Sequence, residues 1–392
     1  MRKNWPYCAY YFMYWLSIGC LSPYLGIFYQ QRGLSGTQIG ILNAVACLAT
    51  IPASLFIGPL ADKSRSPRRI LLGLVAGIFL VFGTLYALHG FWLFAVAILI
   101  YGFASNPTSD MADTLLMAQI KEKPHTYGNY RLGGSAGYML GVTAAGILME
   151  RMGMPSLFIS ACCMLLVTLL VVRSLPVAQT PEMPKGEKRV SLYALSKSRA
   201  FAPAFLTLVI WGLTDSGTMY FLSLHVVQNG LPASYTSTLI SAAMVGEIAF
   251  FFFAPIVLKR LGPLHAMALA FLLQATRMAA LFYIQQLPAG LQFAAQILGG
   301  GAFATVYAGD TEFIRRGFSD EVAYTAQSLK AIANRGVGTS LGSLVFGRML
   351  DVVSTNAAFL CMGAVAVLYI GALLFMQRKR MPEHAAKIAQ MR

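Results

Sequence analysis

Apolar runs of about 20 residues, separated by short polar turns, fill the chain almost from end to end. A helix of about 20 apolar residues crosses the roughly 30 Å hydrocarbon core of a bilayer. The pattern predicts spans near 7–29, 37–60, 70–88, 92–118, 132–149, 156–175, 201–226, 236–257, 264–284, 291–313, 325–347 and 357–376. Short segments of alternating apolar and polar residues, the mark of a membrane β-barrel, do not occur. The expected fold is an all-α membrane protein of twelve transmembrane helices. Residues 176–200 form the longest polar stretch, rich in Pro and Lys, and divide the spans six and six. The chain is therefore expected to hold an N-terminal six-helix bundle (1–175), a cytoplasmic linker (176–200) and a C-terminal six-helix bundle (201–392) with a short basic tail.

Composition agrees with that reading. Of the 392 residues, 57% are hydrophobic and 11% charged, against about 25% charged in soluble domains. The formal charge is +15, and the cations gather in alternate loops: Lys63, Arg65, Arg68 and Arg69, then Lys121 and Lys123, Lys259 and Arg260, Arg315 and Arg316, and Arg378 to Arg380. Such bias marks the cytoplasmic side, so both termini are expected in the cytoplasm of a bacterial inner (plasma) membrane protein, and no nucleic-acid partner is implied. The six cysteines lie in apolar runs without metal-ligand spacing, so they read as packing residues, and no metal or cofactor is expected. The first run is too long for a signal peptide and reads as the first span. There is no Walker motif and no H-E-x-x-H, so no enzyme is indicated, and movement of a small solute would draw on a gradient.

Charges inside the spans carry the functional information, because each costs on the order of 3 kcal/mol on insertion scales unless it has a partner or a wet cavity. Span four carries Asn106, Asp110 and Asp113 at i, i+4, i+7; span five carries Arg131, Ser135 and Tyr138 at the same spacing. Each set shares one helical face. A hairpin makes these spans neighbours, so the two faces are expected to meet, as a salt bridge or as the wall of a substrate cavity. In the second half Glu247 and Arg277 stand alone in apolar runs on consecutive spans and are expected to pair. A carboxyl in apolar surroundings is driven toward its neutral form, which suits proton exchange. Asp215 and Arg335 form a further expected pair, structural or gating. Asp310 and Glu312 are expected to join Arg315 and Arg316 in an interfacial network. Tyr10, Tyr11, Tyr14, Trp15 and Trp211 are candidates to line a cavity or to pack.

Gly58-Pro-Leu-Ala-Asp62-Lys63, followed by Arg68-Arg69, resembles the loop signature between spans two and three of the major facilitator superfamily, where Asp62 would serve as a conformational latch. The stretch from Asp113 through Tyr127-Gly-Asn-Tyr-Arg131-Leu-Gly-Gly-Ser135-Ala-Gly-Tyr138 is similar to the lactose permease and phenylpropionate permease branch of proton symporters. The resemblance implies substrate contacts at Asp113, Arg131 and Tyr138, with a stacking aromatic at Tyr138. It also implies roles for Arg277, for Glu247 as a carboxylate of span eight, and for the Asp215–Arg335 pair. The His and Glu that serve coupling on span ten of lactose permease are replaced here by Gly299-Gly300-Gly301-Ala302. The expected function is proton-coupled uptake of a small polar or anionic solute such as a sugar, nucleoside or aromatic acid, by a monomer in lipid. Substrate would meet Asp110, Asp113, Arg131, Ser135, Tyr138 and Arg277, and Glu247 with Arg277 would carry the proton. The alternatives are an exporter of drug-like or lipid-linked compounds and a non-transporting receptor.

Overall fold

The computed structural model describes residues 5–63, 66–120, 127–176, 201–317 and 329–390. Within them the chain is helical: α1 Trp5–Leu21, α2 Leu25–Gln31, α3 Gly36–Lys63, α4 Pro67–Leu85, α5 Phe91–Gln119, α6 Tyr127–Met152, α7 Met154–Ser174, α8 Phe201–Tyr220, α9 Leu222–Gln228, α10 Ala233–Phe282, α11 Ala289–Gly317, α12 Ser340–Val352 and α13 Thr355–Gln390. A π-helical segment, Ile332–Thr339, leads into α12. Nine helices among the described residues are long and apolar enough to cross a membrane. α10 is one of those nine but holds two predicted spans, parted at Gly262 (φ 73°) immediately before Pro263. α8 and α9 make one span bent by 51°. The π segment and α12 supply span eleven. The twelve expected spans are thus accounted for. All but the first residue of the expected linker 176–200 lies outside the described residues, as does the side chain of Asp62.

Two compact units emerge. One comprises residues 1–188, 218–241 and 343–352; the other comprises 189–217, 242–342 and 353–392. The ends of α8–α9, the start of α10 and most of α12 thus belong with the first six spans.

In the first unit α1 packs on α6 and α7, α3 on α5, and α4 on α5 and α7. The approach of α1 to α6 is set by a glycine stripe. Side chains at Gly133, Gly137 and Gly141 would press on the carbonyls of Cys8, Phe12 and Leu16, which follow the same four-residue rhythm along α1. With no Cβ in the way, two backbones come together, the usual device of membrane helices that lack a hydrophobic drive to associate. The second unit repeats it: Gly338 and Gly342 lie on the carbonyls of Val209 and Leu213 in α8. Both stripes carry the spelling Gly-x-Ser-x-Gly or its close kin, Gly133-x-Ser135-x-Gly137 and Gly338-x-Ser340-x-Gly342. The first lies inside a helix and the second runs from the π segment into one, with no strand-to-helix turn that would present a nucleophile. The apolar core of the second unit gathers Trp211, Phe271, Phe313 and Tyr369. Trp211 is 1% exposed there and packs edge-on against Phe271, so it belongs to the core and not to a cavity wall.

Candidate substrate and coupling site

The α1–α6 contact brings an aromatic cluster onto the polar faces predicted for spans four and five. Tyr11 stands between the two charges: its hydroxyl donates to Asp113 Oδ1, and its ring faces the Arg131 guanidinium at 5.3 Å from the centroid. Trp15 flanks the same guanidinium at 5.2 Å and meets Tyr138 edge-on at 6.2 Å. Ring faces carry partial negative charge and attract a cation, more so when water is excluded. A Cβ at Gly134 would fall 2.7 Å from both Arg131 Nη1 and Trp15 Cδ1, so the absence of a side chain there makes room for the pair. Tyr10 and Tyr14 stack at 5.8 Å and donate to the carbonyls of Thr108 (3.3 Å) and Ser105 (3.2 Å) in α5, beside the in-helix Pro107.

The Asp and Arg faces therefore do meet, through Tyr11. Asp110 lies on the exposed part of α5, one turn before Asp113, and Ser135 is half-buried on α6 one turn after Arg131. The aromatics that hold the charges are weak candidates from sequence alone, because Tyr and Trp in a first span read equally well as packing.

The second unit builds a polar network around Arg277, which is buried. Its Nη1 lies 3.2 Å from Asp215 Oδ1, and its Nε donates to Gln296 Oε1 at 2.7 Å. Gln274, one turn earlier on α10, donates to the same Asp215 oxygen at 3.1 Å. Glu247 is close enough for its charge to be felt by both Asp215 and Arg277. Asp215 thus meets the guanidinium expected opposite Glu247. The Gly299-Gly300-Gly301 run explains the arrangement. A side chain at Gly299 would occupy the path of the Arg277 stem, and one at Gly300 would strike the Ala243 carbonyl and approach Glu247 N to 2.7 Å. The glycines let the Glu247-bearing part of α10 settle on α11 and leave a slot for the arginine. Arg335 sits exposed on the π segment, within electrostatic reach of Tyr307.

Two glutamines of this network, Gln274 and Gln296, do not stand out in the sequence. Gln274 shares a face with Arg277 at i, i+3, and that spacing is the available signal. Asp310, expected to join Arg315 and Arg316, pairs with Lys330 at 3.3 Å, and Lys330 also donates to Thr311 Oγ1 at 2.6 Å; the side chain of Arg316 lies outside the described residues. Asp310 is fully buried, and a carboxylate inside the helix packing must take the cation that reaches it there. The Glu312–Arg315 pair forms as expected, at 2.7 Å. Among the described residues no group of His, Cys, Asp and Glu has the makings of a metal site.

Residues 4–361 match the family model described as MFS_1 like family. The maltose permease of Geobacillus stearothermophilus is 25% identical over 374 residues, 94% of this chain and 93% of that protein. The quinolone resistance protein NorA of Staphylococcus aureus (strain COL) is 23% identical over 391 residues, 97% of this chain and 96% of that protein. Among solved structures, the D323A mutant of the nucleoside transporter NupG superposes with a TM-score of 0.87 at 18% identity, covering 95% of this chain and 99% of that one. The chain is a member of the MFS_1 like family, and so a membrane transporter of the major facilitator superfamily and not an enzyme.

Proposed function

We propose that the protein is a proton-coupled symporter that takes up a small, hydroxyl-rich or anionic solute by alternating access. One observation carries this reading: Arg131 is held by the faces of Tyr11 and Trp15, while Asp113 is held by the Tyr11 hydroxyl. A guanidinium steadied by rings is fixed in place to offer N–H groups to a ligand beside its contact with Tyr127, and a neighbouring carboxylate accepts from hydroxyls. Such a set suits a sugar or nucleoside, which offers both donors and acceptors, with ring stacking on Tyr138. Asp110 and Ser135 extend the polar wall on either side, and an aromatic carboxylate is the competing ligand, drawn by Arg131 and Arg277.

In the second unit Glu247 is the proposed proton carrier. Arg277 is shared between Asp215 and the field of Glu247. Protonating Glu247 leaves Asp215 as the countercharge of Arg277, so the guanidinium is never left alone. An uncompensated charge is costly inside the membrane, and only a compensated arrangement would reorient. Arg335 and Asp62 are proposed gating residues. The protein is taken to act as a monomer with both termini in the cytoplasm.

The test is uptake of radiolabelled maltose, uridine or phenylpropionate into proteoliposomes under an inward proton gradient. Accumulation of one of them, abolished by a protonophore, supports the reading. NorA, as a relative, favours a second reading, export of drug-like compounds. Extrusion of a fluoroquinolone against its gradient, with none of the three solutes accumulated, would establish that alternative instead.

A further inference from the structure

The first unit contains a matched pair of contacts that the transport site does not use. α2 and α9 end alike, in Gln31-Arg-Gly33-Leu34-Ser and Gln228-Asn-Gly230-Leu231-Pro. Gly33 and Gly230 adopt left-handed φ of 79° and 74°, and the next residue bonds back five positions, Leu34 N to Tyr29 O and Leu231 N to Val226 O, each at 3.1 Å. This glycine closure stops each helix and turns the chain into α3 and α10. The first turn of each new helix is then met by a carboxylate from far along the chain. Asp351, near the end of α12, accepts from Gly36 N (2.6 Å), Thr37 N (2.7 Å) and Thr37 Oγ1 (2.5 Å). Glu150, near the end of α6, accepts from Ser234 N at 2.9 Å.

Each acid follows a glycine by four residues, Gly347 and Gly146. A Cβ at Gly146 would lie 2.7 Å from Ser234 Cα, and one at Gly347 would lie 2.9 Å from Gly40 Cα. The same Gly-x-x-x-acid element thus seats two helix starts, span eleven on span two and span five on span eight. Beside them Ser223 Oγ donates to Pro23 O at 2.5 Å, and behind them the buried Cys47 Sγ meets the Tyr220 hydroxyl at 3.2 Å.

A helix start offers unpaired N–H groups and positive potential, so a carboxylate holds it without a cation. Asp351 and Glu150 are both exposed, so water takes over the same groups when the contact opens. That makes the contact reversible, unlike a buried ion pair whose rupture strands a charge. We infer that Asp351 on α3 and Glu150 on α10 form a two-point latch that holds shut the face opposite the basic loops and releases when that face opens. It applies to uptake and export alike, so it stands apart from the direction of transport.

The test uses the protein's own Cys47, with Cys8, Cys20, Cys162, Cys163 and Cys361 changed to Ala, in vesicles exposing the face opposite the basic loops. A membrane-impermeant maleimide reports how often Cys47 is uncovered, and no substrate is needed. The Glu150→Gln/Asp351→Asn variant is expected to label about tenfold faster than its parent, and each single variant by an intermediate amount. Monodispersity and a cooperative melting transition confirm folding. An unaltered labelling rate in the folded double variant overturns the latch. Should that variant not fold, spin labels at Gln31 and Val353 in the single Asp351→Asn variant decide the matter: a new long-distance population supports the latch, and a distance distribution identical to the parent's refutes it.

Discussion

Arg277 Nη1 lies 3.2 Å from Asp215 Oδ1, so the buried cation of span nine is paired with the carboxylate of span seven. Removing one partner of a buried pair leaves a stranded charge, at a cost of about 3–5 kcal/mol. Asp215→Asn is expected to lower the thermal midpoint of detergent-purified protein by several degrees. The double change Asp215→Asn/Arg277→Gln is expected to recover much of that loss. A double variant no more stable than the single one would show that the pair does not account for the effect.

Glu247 has a different expected signature. Glu247→Gln fixes the group in its neutral state, so proton-driven accumulation is expected to fall to background while exchange of preloaded substrate continues. Active accumulation surviving in that variant rules Glu247 out as carrier.

The Arg131 cluster predicts a graded loss of binding. Trp15→Ala removes one ring from the guanidinium, worth about 1–2 kcal/mol in a desolvated setting, hence roughly 5- to 30-fold in Kd. Arg131→Lys is expected to do at least as much harm, since a compact ammonium lacks the planar face that stacks between two rings. Titration followed by thermal shift measures both; an unchanged Kd in either would place the substrate elsewhere.

The glycine contacts predict steric failure. Gly137→Val drives a branched side chain at the Phe12 carbonyl, and Gly300→Val does the same at Ala243. Overpacking costs about 1–3 kcal/mol where side chains can yield, and here backbone must move. Both variants are expected to give sharply reduced yields of monodisperse protein, whereas Gly73→Val, at a position with open space around it, is expected to behave as wild type. Equal yields across the three would discount the close approach.

Asp351 gives a pH prediction. Burial pushes its carboxyl up from the ordinary 3.8, but bonds from the Thr37 hydroxyl and the Thr37 and Gly36 amides outweigh this and hold it lower. A carboxylate depressed in the folded state adds stability that is complete above its unfolded value and is lost only as pH falls through the folded one. The contact is therefore expected to persist unchanged between about pH 5 and 8 and to loosen below about pH 4. Distances between spin labels at Gln31 and Val353, followed across that range, would contradict it by shifting near neutrality.

Hydrophobic runs are enough to foresee the helical class and the spans, because in lipid a backbone must satisfy its own hydrogen bonds and a run of sufficient length has little alternative to a helix. The charge positions are equally legible, since Asp113, Arg131, Glu247 and Arg277 interrupt apolar stretches where any ion stands out. Their partners are not. Helical periodicity gives the face a residue occupies and leaves open which neighbouring helix that face meets. That is why Arg277 as a partner of Asp215 and Lys330 as a partner of Asp310 are not foreseen from the sequence.

The repeats show the same division. Gly-x-Ser-x-Gly at 133–137 and 338–342, and the Gln-x-Gly-Leu stretches at 31–34 and 228–231, stand in the letters, yet each is too short to be noticed as a repeat until both copies are seen making the same contact. What the sequence by itself determined is local: where helices run, where they stop, and which positions carry charge. Tertiary structure alone decided that Tyr11 stands between Asp113 and Arg131, that Gly299 leaves the slot for Arg277, and that Asp351 reaches the start of α3. Those outcomes depend on how closely two distant helices approach, and that distance is set by the side chains missing at their contact.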